Sequence, residues 1–211
     1  IKSFADLRGK SLGVTGLGSS TNFLTQYMMV KAGVPLGEFS TIPVGAGTTF
    51  IAALQQDKIQ AGMTTEPTIS RLLKTGDARV LVDMRTVEKT KAALGGTYPA
   101  AALYMSADWV EKNKPMVQKL ANAFVKTLKF INTHSAAEIA DKMPKDFYAG
   151  DKEGYIKALA DGKSMFTADG VMPAGGPETV LMVLSGFSKN VKGKTVDLSK
   201  TYTTEFVKNV K

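Results

Sequence analysis

Two rhythms of apolar and polar residues alternate in the first half of this chain. Ser11 to Thr15 (SLGVT) is a short apolar run after the turn-prone Arg8-Gly9-Lys10, and it reads as a strand. From Ser20 to Ala32 the period changes. Phe23, Leu24, Tyr27 and Met28 recur at three- and four-residue spacing, with the Lys31 stem continuing the stripe, which predicts a helix. Gly33 is a natural helix stop and Pro35 follows it. Thr41 to Val44 predicts a second strand, and Thr48 to Gln55 a short helix with Phe50, Ile51 and Leu54 on one face. Ile59 to Thr64 reads as a third strand, Thr68 to Lys74 as a helix ended by Gly76, and Arg79 to Asp83 (RVLVD) as a fourth strand. Strands and helices joined by such short connections imply parallel strands with crossover helices, so residues 1–97 form an α/β unit. In such sheets ligands sit beyond the carboxyl ends of the strands, where loops feed helix N-termini.

After one more strand-like run, Ala101 to Met105 (AALYM), the second half is almost entirely helical in pattern. Pro115 to Thr133 is the clearest helix, with Pro115 suited to its first position. Met116, Leu120, Phe124, Leu128 and Ile131 make one continuous apolar stripe. Asp151 to Ala160 carries Tyr155, Ile156 and Leu159. Pro177 to Phe187 carries Val180, Leu181, Val183 and Leu184, and Thr204 to Val210 predicts a terminal helix. These amphipathic helices need apolar surface to cover, and one strand cannot supply it. Either they form a bundle, or their sheet is built from polypeptide outside this sequence.

Composition narrows the possibilities. The 211 residues are 44% hydrophobic and 22% charged, as in ordinary globular proteins. No run approaches the roughly 20 apolar residues of a membrane-spanning helix. The absence of cysteine removes disulfides, thiolate nucleophiles and cysteine-ligated metals. The net charge of +8 is divided equally between residues 1–97 and 98–211. Charge spread in this way lacks the basic stripe of a nucleic-acid groove and is compatible with solubility or mild attraction for anions. His134, the single histidine, ends the long predicted helix and reads as structural. Trp109, at a helix start, reads as core. Asp141, Asp146 and Asp151 are interleaved with Lys142, Lys145 and Lys152, a solvated surface rather than a metal site.

Three strand-to-helix junctions carry candidate chemistry. Gly16-Leu17-Gly18-Ser19-Ser20-Thr21 lacks the third glycine of a dinucleotide fingerprint and the lysine of a P-loop. What remains is a flexible turn before a helix N-terminus, whose N–H groups and dipole favour a carboxylate, sulfonate or phosphate. Gly18, Ser19, Ser20 and Thr21 are the candidate contacts, and plain N-capping by Ser19 or Ser20 is the alternative. Gly45-Ala46-Gly47-Thr48-Thr49 repeats the arrangement, with Thr48 as a candidate donor or a simple capped turn. In Thr64-Thr65-Glu66-Pro67-Thr68, Glu66 is either a ligand contact, favouring a solute with a donor group, or a capping carboxylate. Tyr98, after the predicted α/β unit, could stack on a ligand or pack internally.

Phe4-Ala5-Asp6-Leu7-Arg8-Gly9-Lys10-Ser11-Leu12-Gly13-Val14 resembles the DL(K/R)GK-x-(I/L)-G-V segment of type II periplasmic solute-binding proteins, closest to their nitrate/sulfonate/taurine and thiamine-precursor branch. Gly18-Ser19-Ser20, Ala52-Ala53-Leu54 with Ile59-Gln60-Ala61, Glu66-Pro67, Tyr98-Pro99 and Asp108-Trp109-Val110 follow in the family's order. Thr195-Val196-Asp197-Leu198-Ser199 with Tyr202 completes the match. The resemblance implies two α/β lobes with a central cleft that closes on the ligand. Residues 1–8 would be the crossover from lobe 1, 9–97 lobe 2, and 98–211 the mostly helical C-terminal part of an incomplete lobe 1. Family members are typically half as long again. The first βαβ units of lobe 1 are therefore expected to be missing, and the start at Ile1 to reflect processing or trimming.

The expected function is the extracytoplasmic binding component of an ABC-type import system, taking a small, anionic solute and meeting a membrane permease transiently. The expected location is periplasmic or lipid-anchored, although no signal sequence is visible, and the full-length protein is expected to be a monomer. No cofactor, metal, nucleic acid or enzymatic step is expected: a hydrolase triad needs a partnered histidine, and the cysteine-rich motif of thiamine-precursor synthases cannot exist here. The alternatives are the effector domain of a transcriptional regulator, or a binding protein that serves a sensor.

Overall fold

The computed structural model describes residues 1–148 and 150–210. The chain divides into two compact units, one of Ile1–Asp83 with Val180–Val196, the other of Met84–Thr179 with Asp197–Lys211.

Unit 1 is built on three parallel strands in the order β2-β1-β3. They are β1 (Ser11–Val14), β2 (Ser40–Pro43) and β3 (Ala61–Gly62). Ser11 pairs with Ser40 on one side, and Leu12 and Gly13 pair with Ala61 and Gly62 on the other. Between the strands run α1 (Ser20–Lys31) and α2 (Thr48–Gln55), with α3 (Thr68–Thr75) after β3. Alternation along β1 assigns the two faces. Leu12 joins Leu7, Met29 of α1 and Val34 in one buried cluster. Gly13 faces the other way, where a Cβ would meet the Phe50 ring of α2 at 3.2 Å and Val44 at 3.0 Å. Gly62, its cross-strand partner, would meet the same ring at 2.7 Å. Two side-chain-free positions in register thus let Phe50 lie on the sheet, where it packs with Ile59 and Leu72.

The helix boundaries follow local chemistry. Ser19 caps α1 by accepting the Asn22 N–H. At the other end Gly33 takes φ 80°, and the Val34 N–H returns to the Met29 carbonyl. Val34 and Met29 also pack together, the apolar contact that accompanies this stop. Gly76 ends α3 in the left-handed conformation.

Two expected strands are changed. Ile59–Thr64 contributes only Ala61–Gly62 to the ladder. Arg79–Asp83 forms no strand: Leu81 packs against the Leu7–Leu12–Met29–Val34 cluster without backbone pairing. A short apolar run signals burial, and burial does not require a ladder partner.

Unit 2 is helical: α4 (Val87–Leu94), α5 (Ala107–Lys112), α6 (Lys114–Thr133), α7 (Ala136–Lys142), α8 (Lys152–Gly162) and α10 (Glu205–Lys208), with the first residues of α9 (Gly176–Ser185). Helices α4, α5 and α7 extend the sequence reading. Ala101–Met105 is not a strand. Ala101–Tyr104 is exposed, with Tyr104 90% exposed, Met105 packs against the Val117–Ala121–Phe206 cluster, and the segment has no ladder partner among the described residues. The α6 core stripe is also corrected. Val117, Ala121 and Val125 are buried, whereas Met116 and Phe124 are half-exposed. The small stripe admits Phe206 of α10 against Val117 and Ala121, and Val125 lies against the side-chain-free Gly170. Trp109, expected in the core, is 41% exposed. His134 closes α6, stacked on Phe130 at 3.8 Å and bonded to its carbonyl.

Candidate functional site at the strand ends

The carboxyl ends of the three strands in unit 1 open into three turns. Continuing the ladder register beyond β1 and β3 sets Thr64 beside Thr15, and Val44 sits beside the end of β1 through its N–H bond to the Val14 carbonyl. The turn Gly16–Ser19 carries the chain from β1 to α1. Gly18 adopts φ 78°, a conformation that disfavours a side chain, and Leu17 at the tip is 64% exposed.

Beneath this tip the hydroxyls form a closed set. The Thr15 hydroxyl donates to Ser19 Oγ at 3.2 Å and lies 2.8 Å from Thr21 Oγ1. Ser19 Oγ is 2.8 Å from Thr21 Oγ1 and donates to the Gly16 carbonyl at 2.6 Å. The Thr15 N–H donates to Thr21 Oγ1. Each of the three hydroxyls lies within hydrogen-bond distance of another member of the set, and Ser19 also reaches the Gly16 carbonyl. Ser19 and Thr21 therefore shape the turn that leads to the N-terminus of α1, where Ser20 occupies the first helical position.

The electrostatics favour an anion there. The first turns of α1, α2 and α3 contain no acidic residue. Those of α4, α5, α7, α8, α9 and α10 each contain one. Helix α6 also lacks one and begins with Lys114-Pro115, in unit 2 and not at a strand-to-helix turn. A carboxylate at the helix start offsets the positive end of the dipole, so α1 and α2 keep theirs, whereas Glu66 caps α3 from just outside its first turn.

Buried polar atoms without partners concentrate in the same place. Among the described residues these are Asn22 Nδ2, Thr25 Oγ1, Thr64 Oγ1 and Glu38 Oε2. Glu38 is answered by the Arg8 guanidinium. The other three lie on the first turns of α1 or just past β3. A buried donor left unpaired costs about 1–3 kcal/mol, so each such atom calls for a water or a ligand.

The remaining candidates fall as follows. Thr48 begins α2 and is exposed. The Gly45–Gly47 turn is tied to α3 by the Gly47 N–H, which donates to Thr68 Oγ1 at 2.8 Å. Glu66 accepts the Ser70 N–H at 3.0 Å, the bond of a capping carboxylate on α3. Tyr98 belongs to unit 2, where burial pushes its phenol above the ordinary value. Thr15, Asn22 and Thr64 are residues that pattern reading passed over. The absence of acidic residues between β1 and α1 and between β2 and α2 is the signal in the sequence that points to this region. An open hollow lined by Arg8, Gly9, Gly37, Glu38, Phe39 and Ser40 lies at the amino ends of β1 and β2, away from these turns.

Among the described residues no three His, Cys, Asp or Glu side chains are placed to hold a metal, and no helix is long and apolar enough to cross a membrane.

Comparison with known proteins adds to this geometry. No curated protein matches the chain. A solved structure of a protein from Bordetella bronchiseptica RB50 superposes with a TM-score of 0.94 at 36% identity, over 99% of this chain. This chain spans 66% of that protein's length. Residues 2–143 match the NMT1-like family. The mixed α/β architecture, with its small parallel sheet and many helices, is that of part of a type II periplasmic binding protein. The match over residues 2–143, on a fold of this kind, places the chain in the NMT1-like family, within the nitrate/sulfonate/taurine-type group of periplasmic binding proteins.

Proposed function

We propose that this chain is the solute-holding part of an extracytoplasmic binding component of an ABC-type importer, and that it captures a small anionic solute on the Gly16–Thr21 turn. The observation that carries this reading is the α1 mouth: a turn shaped by an internally satisfied hydroxyl set, at a helix N-terminus free of acidic residues, beyond the carboxyl end of a parallel sheet. Backbone N–H groups at such a terminus bind an oxyanion without any cationic side chain.

In this reading Gly18, Ser19, Ser20 and Thr21 form the primary wall. Thr48 and Tyr98 add contacts, and Glu66 selects a solute that carries a donor group. Residues 9–97 and 98–211 are the two lobes, 1–8 is the crossover, and capture occurs by their closure. A membrane permease recognises the closed form in the periplasm or at a lipid-anchored position. The solute leaves unchanged, without cofactor or covalent step.

The test begins with mass spectrometry of small molecules released on denaturing natively purified protein. An anionic compound at near-stoichiometric amount is the expected result. Its affinity is then measured by calorimetry for the parent and Ser20→Pro. Proline is tolerated at the first helical position, so this change removes one N–H and one hydroxyl without breaking α1. At least about a tenfold loss is expected, the equivalent of one charge-assisted hydrogen bond. Undiminished affinity would sink the helix-mouth site.

A further inference from the structure

Asn22 stands apart from the other polar residues of the α1 mouth. It is 4% exposed, and its backbone N–H is already held by Ser19. Its side-chain Oδ1 accepts the Gly18 N–H at 3.1 Å. That bond also assigns the amide orientation, because only the oxygen can face an N–H donor. Nδ2 is consequently the other arm of an amide anchored to the turn, and it has no partner. Thr25 Oγ1, one helical turn further along α1, is equally buried and without a partner. No hydrogen bond joins either atom to the hydroxyls of Thr15, Ser19 and Thr21, which bond among themselves and to the Gly16 carbonyl.

We propose that Asn22 is the specificity-determining residue of the strand-end site: its Oδ1 latches the Leu17–Gly18 tip, and its Nδ2 donates to an oxygen of the bound oxyanion. This rests on the reading of the Gly16–Thr21 turn as the solute site and adds a side chain to it. Leu17 and Gly18 are exposed at the tip, and the Gly18 N–H bond ties the tip to Asn22. An oxyanion that displaces the tip reaches two N–H hydrogens that otherwise stay unpaired. Such a donor discriminates sharply, because a solute without an acceptor oxygen leaves the amide buried and unsatisfied. The class selected is a small carboxylate or sulfonate whose oxygen enters beneath the tip.

The experiment is a titration of the whole 15N-labelled chain with acetate and with methanesulfonate, the two oxyanions without further recognition groups. The Asn22 side-chain amide is identified by its disappearance in Asn22→Asp. This variant keeps the oxygen latch on Gly18 and loses the donor. A saturable shift of the Asn22 amide pair, with binding about tenfold or more weaker in the uncharged Asn22→Ala, where no added carboxylate repels the anion, is the expected result. Retained exchange protection of the Gly18 amide in Asn22→Asp confirms that the oxygen latch survives there. Shifts of the Ser20 and Thr21 backbone amides with a stationary Asn22 side chain would overturn this proposal and leave the helix-mouth site standing. The role of Asn22 falls equally if its amide contacts water alone at saturating anion. Absence of any shift at Ser20, Thr21 and Asn22 would overturn both readings.

Discussion

Gly13 and Gly62 face each other across β1 and β3, and the Phe50 ring lies against both. A methyl at Gly62 would also press on the Gly13 carbonyl, which cannot rotate away. Gly62→Ala should therefore destabilise the protein by about 1–3 kcal/mol, the usual range for overpacking. Gly37→Ala is the control, since nothing lies within 4 Å of its Cβ position. Equal melting temperatures for the two variants would contradict the packing described. A second residue-scale prediction concerns Glu138. It closes a capping box with Ser135 at the start of α7, and the Ser135 N–H bond, followed by the Ser135 hydroxyl, holds its carboxyl below the ordinary value of 4.5. A carboxylate whose folded value is depressed contributes stability above its unfolded value, and the contribution disappears as pH falls through the folded one. Exchange protection of the Ser135 N–H should thus persist through pH 4.5 and be lost at lower pH. Loss beginning above the ordinary value would show that the box does not hold the carboxyl. Glu138 is fully exposed, so this is a local effect on one helix end.

Elements differ in how much of their outcome local sequence can dictate. Helices α1, α2 and α3 match expectation closely because their stops are chemical: Gly33, Gly76 and the turns before Ser20, Thr48 and Thr68 are read from residue type alone. The stripe on α6 is different. Apolar residues occupy two adjacent faces, and period alone favours the larger ones. The folded chain buries Val117, Ala121 and Val125, because small side chains let Phe206 and the backbone at Gly170 come close. Val125→Ala should cost about 1–2 kcal/mol, whereas Phe124→Ser, at a 52% exposed position, should stay within about 0.5 kcal/mol of the parent. Denaturant midpoints in the reverse order would restore the Met116–Phe124 stripe. Strands show the same dependence on partners. Ala101–Met105 and Arg79–Asp83 have strand composition, yet neither joins a ladder. Strand propensity is a fit to neighbours more than an intrinsic preference, so it cannot announce a strand whose neighbour is not there.

At the scale of the whole molecule, unit 1 holds a parallel sheet between helices, while unit 2 carries Leu103, Tyr104, Trp109, Met116, Phe124, Phe147 and Phe166 as exposed apolar side chains. The sequence by itself determined the alternation of strand and helix through α3, the parallel sense it implies, the turn at Gly16–Thr21, and the family resemblance. These follow from short-range periodicity, glycine conformation and capping, which act over a few residues. The location of the anion-favouring region was also legible, in the absence of Asp and Glu between β1 and α1 and between β2 and α2. What only the tertiary structure decided is which groups at that region are already engaged. Ser19 and Thr21 look like free donors in the sequence, but with Thr15 brought to them across the turn their hydroxyls bond one another. Asn22 looks like an ordinary polar residue on the second half of a capping turn. Burial in the fold leaves its Nδ2 without a partner, and burial is a property of the fold rather than of the residue.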